Sequence, residues 1–462
     1  MESITATLAR FVIDTPSADI PDAVLAGARN ALIDTIGVAL AGTGERVSDI
    51  ARRWVLDSGA TARASLWGCN DGGSAADAAF ANGVASHALD FDDSQPSLRG
   101  HPSATMIPAA LAVGELTGAS GADVLAAYAL GLEIAGKLGR ALGHGHFMRG
   151  WHSTATIGVM SSTAVAARLY QLDAKALQTA WGLAASQVAG LVRNFGTMTK
   201  PFHAGNAARN GVMSAALARQ GFSADPDIFD GTNNLLDTYG EGDGVPMKEL
   251  CVRLGKPWEI SEPGVYVKRW PCCYSNHRAV GGLFQLIKDN GINATEVKEV
   301  AVGFLPGTDT ALVSRDPYTG LEGKFSIEYV AAATLLDGDL KLETFTDEMV
   351  QRRDARELMR KVRRYAIADD QLYSGISGYT DIAVDTVRGR FAMRVDRVPG
   401  SPAWPMTDAD RQAKFLDCVA RVLGADGARR LLQLCQQCRE LPDIRDVVRA
   451  TIPARAGTVK AA

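Results

Sequence analysis

The chain has 462 residues, enough for two or three domains around a sizeable core. Hydrophobic residues make up 47% and charged residues 22%, the balance of an ordinary soluble protein. The net charge of −4 argues against a nucleic-acid surface, which needs a basic face, and leaves room for a small anion held by local cations.

The first residues, MESITATLARFVIDT, carry no basic segment followed by an apolar run, so no signal peptide is expected. From there to about residue 255 the chain reads as helix after helix. Ile4 to Asp14 forms a short first helix. Ser17 to Pro21 starts a second, whose apolar residues recur through Val24, Ala28, Leu32, Ile36 and Val38. Its most apolar part, Ala31 to Ala41, contains Asp34 and is too short to span a bilayer, so no membrane contact is expected. Helices are then predicted over 75–89, 105–116, 121–142, 152–170, 174–192 and 204–220. Ala, Gly and Ser recur on their faces at three- and four-residue spacing, which lets helix axes approach closely. Gly131 to Lys137 has the spacing of a phosphate-binding loop. Leu138 stands where Ser or Thr would be needed, and the run is helical, so no nucleotide site is read there.

The texture changes near residue 260. Gly264 to Lys268 and Val297 to Phe304 read as strands, and His277 to Asn290 as a helix stopped by Gly291. Phe325 to Leu336 and Asp347 to Tyr365 read as helices, and Tyr379 to Val387 with Arg390 to Val395 as a hairpin. Thr407 to Arg449 is helical again and too short for a core of its own. The expected fold is mainly α: a large all-helical domain from 1–259 and 405–452, a smaller α/β (α+β) domain over 260–404, and a disordered tail over 453–462. The odd count of seven cysteines, scattered along the chain, implies a reducing, cytoplasmic setting, and Cys435 and Cys438 read as core packing.

The chemistry concentrates in His87 to Ser103, HALDFDDSQPSLRGHPS, which sets two histidines, three aspartates and an arginine between alanine-rich helices. As a bare loop it would be a solvated connection with aspartate caps. His101, His152, His203 and His277 each follow Arg or Lys, with Gly or Pro close by, and so are expected at element starts around a shared space. Four histidines with cationic neighbours suit acid–base work on an anion. Lys200, just before Pro201, reads as an extended residue at a helix mouth, where a dry pocket would let it act as a base. The rival is a metal site from His87, Asp90, Asp92, Asp93 and His101, which lacks the paired histidine spacing of zinc signatures. There is no GxSxG elbow, and Cys272 and Cys273 read as buried packing.

Taken together, HALDFDD, His101-Pro-Ser103, KPFHAG at 200–205, Lys268 to His277 and KFSIEY at 324–329 resemble the MmgE/PrpD family over nearly the whole chain. The family includes 2-methylcitrate dehydratases, cis-aconitate decarboxylases and iminodisuccinate epimerases. The resemblance implies a helical domain, an α/β lid, a homodimer and a cofactor-independent, metal-free site. It carries catalytic roles onto Asp90, His101, His152, Lys200 and His277. Substrate carboxylates would be held by Arg99, Ser94, Lys268 and, in the place of a lid tyrosine, Tyr318. Ser94 to Ser103, Asn194 to Pro201 and Asp316 to Tyr329 are most similar to the epimerases. The expected reaction is therefore proton removal next to a carboxylate of a small di- or tricarboxylate, by an epimerase, with a dehydratase or decarboxylase as the alternative. A non-catalytic helical binding protein is the contrary class. It predicts no exchange of solvent protons into any dicarboxylate.

Overall fold

The computed structural model describes residues 3–373 and 377–454. Most of the tail expected to be disordered, from 455 onward, lies outside the described residues.

The first core is built by α1 (Ile4–Asp14), α2 (Asp22–Gly42), α3 (Arg46–Asp57), α4 (Ala75–Ala88), α5 (Ser103–Thr117) and α6 (Gly121–Leu142). A short β1–β2 pair (Ala64–Ser65 and Gly72–Gly73) sits beside α4. After α7 (Gly145–Met148) come α8 (Ser153–Leu169), α9 (Ala174–Ala185) and α10 (Thr199–Arg219), then the short α11 (Leu235–Tyr239) and α12 (Met247–Val252). Side-chain caps start several of these: Ser74 accepts from the Asp77 amide, Ser120 from Asp123 and Asp173 from Ala176. Helix α2 is long and apolar enough to cross a membrane by composition alone. Here it is a core helix, buried at every position but one from Ala31 to Leu40 and packed on α4 and α6.

Close backbone approach explains the small residues. A Cβ placed on Gly205 of α10 would lie 2.4 Å from the Phe80 carbonyl of α4, and one on Gly83 would lie 2.8 Å from the Gly205 Cα. The two helices therefore touch backbone to backbone, which brings the end of α4 to the start of α10. Gly205→Ala is expected to cost about 1–3 kcal/mol of stability by overpacking, read from urea denaturation.

The second core belongs to 270–395, with Val192 and Phe195 joining it from the helical part. It holds α13 (His277–Asn290), β3 (Val297–Phe304), α14 (Gly320–Gly323), α15 (Ile327–Asp337), α16 (Asp347–Gln351), α17 (Arg353–Met359), β4 (Val362–Ala366), β5 (Thr380–Thr386) and β6 (Gly389–Val395). The sheet runs β4-β3-β5-β6, parallel between β3 and β4 and antiparallel elsewhere, with α13 packed on β5 and β6. The chain returns through α18 (Asp408–Gln436) and α19 (Arg445–Ala450), and α18 lies along α2.

Four readings need correction. Asp347–Tyr365 is not one helix: extended backbone at Arg352 splits it, and its end is the edge strand β4, whose alternation is masked by Arg363 and Arg364. Gly264–Lys268 joins no sheet, and only Tyr266 pairs, with Ser94. The helix from Ala174 ends at Ala185, not Val192. Lys200 is not extended, because α10 begins at Thr199 and Pro201 lies in its first turn, where a missing N–H is harmless.

Candidate active site

Helix α4 ends at Ala88, and Asp90 then takes a left-handed backbone, φ 51°. Such a conformation is uncommon for a residue with a Cβ, though aspartate is among those that tolerate it best. The loop that follows is tied down on both sides. Ser94 pairs with Tyr266, and the Glu259 carboxylate accepts from Gln95 Nε2 at 3.1 Å and Ser97 Oγ at 2.7 Å. Lys137 and Arg140 of α6 neutralise that carboxylate at 3.0 and 2.7 Å.

At the centre, Asp90 Oδ1 accepts from both Lys200 Nζ and Lys268 Nζ, each at 2.8 Å. Burial pushes the Asp90 carboxyl upward, but the two ammonium groups outweigh it and hold it below the usual carboxylate range. Lys200 Nζ also donates to His87 Nε2 at 2.8 Å. That leaves the proton of a neutral His87 on Nδ1, which donates to Asp92 Oδ1 at 2.9 Å. Burial, reinforced by Lys200 and His101 and opposed by Asp92, lowers His87 to about 3, so the ring is neutral near pH 7.

Four imidazoles form a file through this region. The His101, His87, His152 and His203 rings succeed one another at centroid separations of 4.5, 6.1 and 5.2 Å. His101 Nδ1 donates to the Asp93 carbonyl at 2.8 Å, so a neutral His101 carries its lone pair on Nε2. His152, the N-cap residue of α8, has its Nδ1 3.0 Å from His203 Nδ1, an arrangement in which one ring donates and the other accepts. Burial and then Lys268 lower His101; burial, Lys200 and His203 lower His152 well below the ordinary imidazole value. Phe195 and Phe325 flank the Lys200 ammonium at 5.1 and 5.2 Å and keep it dry on two sides.

These groups open onto a small cavity at the junction of the two cores. Ser94, Arg99, His101, His152, Lys200 and Ser275 supply its polar wall, Phe147, Phe195 and Tyr274 its aromatic one. Among the described residues that line it there is no carboxylate. The buried acids stand one layer behind the lysine. Such a cavity favours an anion and offers it proton carriers.

Asp90, His101, His152, Lys200, Ser94 and Arg99 therefore meet as the sequence pattern implies. Arg99 has φ 54°, and its Nη1 donates to the Gly139 carbonyl at 2.9 Å. Three expected residues lie elsewhere. Lys268 is fully buried and spends its ammonium on Asp90, beneath the cavity wall rather than in it. His277 is fully buried in the smaller unit, stacked on Tyr274 at 4.6 Å, because Tyr274 and Ser275 take the cavity side of that turn. Tyr318 is 66% exposed and outside the cavity, its amide on Glu322 and its carbonyl accepting from Gln351. His87 was read only as a metal ligand, and its bond to Lys200 had no signal beyond its place in the HALDFDD string.

The metal donors do gather: ligand atoms of His87, Asp90, Asp92 and His101 lie within 4.8 Å of one another. Lys200 already bonds two of that set, and Lys268 also bonds Asp90, so a divalent cation would have to displace ammonium groups held at 2.8 Å. Cys435 and Cys438 are buried in the first core, where burial pushes both thiols up.

Comparison with known proteins agrees with this architecture. The chain is 28% identical over 456 residues to the cis-aconitate decarboxylase of Homo sapiens, covering 96% of this chain and 93% of that protein. The Mus musculus enzyme of that name is 26% identical over 463 residues, covering 96% and 92%. One from Aspergillus terreus is 26% identical over 385 residues, covering 78% and 77%. These relatives carry the decarboxylase name and not the epimerase name that the three sequence strings favoured. Residues 6–248 match the MmgE/PrpD N-terminal domain and residues 270–440 the MmgE/PrpD C-terminal domain, so the helical core, the smaller sheet unit and the site between them are those of a member of the MmgE/PrpD family.

Proposed function

We propose that the protein is a lyase that decarboxylates a small unsaturated tricarboxylate of the cis-aconitate type with its own side chains. The observation that carries the reading is the cavity wall: Arg99, His101, His152 and Lys200 with no carboxylate among them, and Asp90 directly behind the lysine. The relatives named for cis-aconitate decarboxylation favour this reaction over proton exchange at a single carbon.

In this reading Arg99, Ser94 and Ser275 hold the substrate carboxylates, and the Lys200 ammonium stands over the reacting carbons. The bond from carbon to the leaving carboxylate breaks, and CO₂ departs. The electron pair it leaves forms the new alkene, displacing the old double bond toward its far carbon, where one proton is added. Nothing is oxidised or reduced. Lys200, set between Asp90 and His87, supplies that proton and regains it from solvent through the cavity that it lines.

The test is turnover in deuterated water, read by proton NMR, on cis-aconitate, 2-methylcitrate and iminodisuccinate. Loss of one carboxylate with one deuterium gained in the product is the expected result. Deuterium entering an unchanged carbon skeleton would establish an epimerase instead, and loss of water a dehydratase. No change in any of the three would leave a binding protein and sink the enzyme reading.

The pH profile is a separate expectation. Burial lowers His87, His101, His152 and His203, the first to about 3 and the last to about 4. The acid limb of kcat/KM is therefore expected below the ordinary imidazole value of about 6.5. A limb at or above that value would mean that a solvated histidine controls the reaction.

A further inference from the structure

Three lysines, two of them buried and Lys414 half-buried, reach three successive carbonyls of the turn that carries Asp90. Lys324 Nζ donates to the Leu89 carbonyl at 2.7 Å, Lys268 Nζ to the Asp90 carbonyl at 2.7 Å, and Lys414 Nζ to the Phe91 carbonyl at 2.9 Å. They come from separate places: Lys324 from the C-cap of α14, Lys268 from the link into the smaller unit, Lys414 from α18. Lys414 also donates to the Lys268 carbonyl at 3.0 Å and pairs with Asp34 of α2 at 2.7 Å, which ties the clamp to the first core.

Burying an ammonium costs several kcal/mol unless it is compensated. Lys268 has Asp90 and Lys414 has Asp34. Among the described residues no carboxylate lies within ion-pair distance of Lys324; a carbonyl and the Phe345 ring, 5.9 Å away, face it. A methionine would pack there at less cost, so the charge must serve the turn it holds.

We infer that Lys324 and Lys414, together with Lys268, are positioning residues that hold Asp90 in its left-handed turn and set its carboxylate against Lys200. Since Lys324 belongs to the second unit and Lys268 to the link into it, the pose of Asp90 depends on that unit being seated on the helical core. This rests on the reading of Asp90 and Lys200 as partners at the reacting centre.

The test uses the full-length protein carrying Lys324→Met, which keeps volume and removes charge. Its kcat is expected to fall on the order of 10²-fold, the effect of a misplacement of about 1 Å at a reacting group. KM should stay within ~2-fold, because Lys324 does not reach the cavity. Lys324→Arg should recover part of the loss, its guanidinium still reaching the Leu89 carbonyl. A crystal structure of Lys324→Met should show the Asp90 carboxylate moved by about 1 Å or more from Lys200. A folded variant with unchanged kcat, an effect on KM alone, or an unmoved Asp90 overturns the inference. If the wild-type enzyme is inert on every substrate above, the functional reading fails and the crystallographic arm alone decides the clamp. If Lys324→Met gives no cooperative melt, Lys324→Gln and Lys414→Met take the same readouts. If none of the three folds, the lysines are structural and the inference falls.

Discussion

Lys200→Met is expected to lower kcat by on the order of 10³–10⁴-fold while leaving a folded protein. Among the described residues the lysine is the one cation on the cavity wall that bonds both a buried carboxylate and a buried imidazole. Methionine fills the same space and keeps the contacts with Phe195 and Phe325. Asp90 is not stranded, because Lys268 still donates to the same oxygen. His87 Nε2 loses its donor, a cost of about 1–3 kcal/mol for a buried acceptor, which lowers the melting temperature without unfolding the chain. Lys200→Arg is not expected to rescue, since guanidinium does not give up its proton in a protein. The measurement is kcat on the substrate that the NMR panel identifies, beside a calorimetric melt of each variant. Turnover within tenfold of wild type in Lys200→Met would remove the lysine from the proton path.

How much of this was legible in the sequence depends on the distance over which each contact acts. The helices of the first core were readable, because their caps and small-residue spacing are local: Gly121–Leu142 is found with its predicted bounds, and Ile4–Asp14 likewise. Strand β4 was not, because an edge strand tolerates arginines that erase the period of two. At the site, His101, His152 and Lys200 were readable since each sits beside Gly or Pro at the start of a helix. Lys268 and His277 lie in an equally suggestive string, yet one points beneath the cavity and the other into the second core. Sequence proximity to charged neighbours does not say which side of a turn faces the ligand. The lysine clamp was beyond reach altogether, because it joins residues 89–91 to 268, 324 and 414 through side-chain-to-carbonyl bonds that leave no periodic trace.

Asp90→Asn should be the most damaging single exchange in the site. The backbone is not the reason, since asparagine tolerates a left-handed φ as well as aspartate does. The charge is: Lys200 and Lys268 would both face a neutral amide, and breaking a buried pair costs about 3–5 kcal/mol. Activity should fall with stability, because Lys200 loses the anion that orients it. The pH dependence has a definite sign. The folded-state carboxyl of Asp90 is held below its unfolded value of about 3.9, so its contribution is fully present above that value and is lost only as pH falls through the folded pKa. The gap between wild type and Asp90→Asn is therefore expected to be constant from pH 5 to 8, on the order set by the lost pair. Asp93, three residues on, predicts the opposite. Burial, with Asp34 and Asp92 adding to it, raises its carboxyl to about 8 against the Ser103 hydrogen bonds, so it carries its proton at neutral pH. Its stabilising contribution is present below the unfolded value and fades as pH rises through about 8. Asp93→Asn should thus cost little at pH 7, well under the loss from Asp90→Asn. Urea denaturation of both variants at pH 5, 7 and 8 separates the two cases, and a loss below about 1 kcal/mol for Asp90→Asn would show that the two lysines do not depend on its charge.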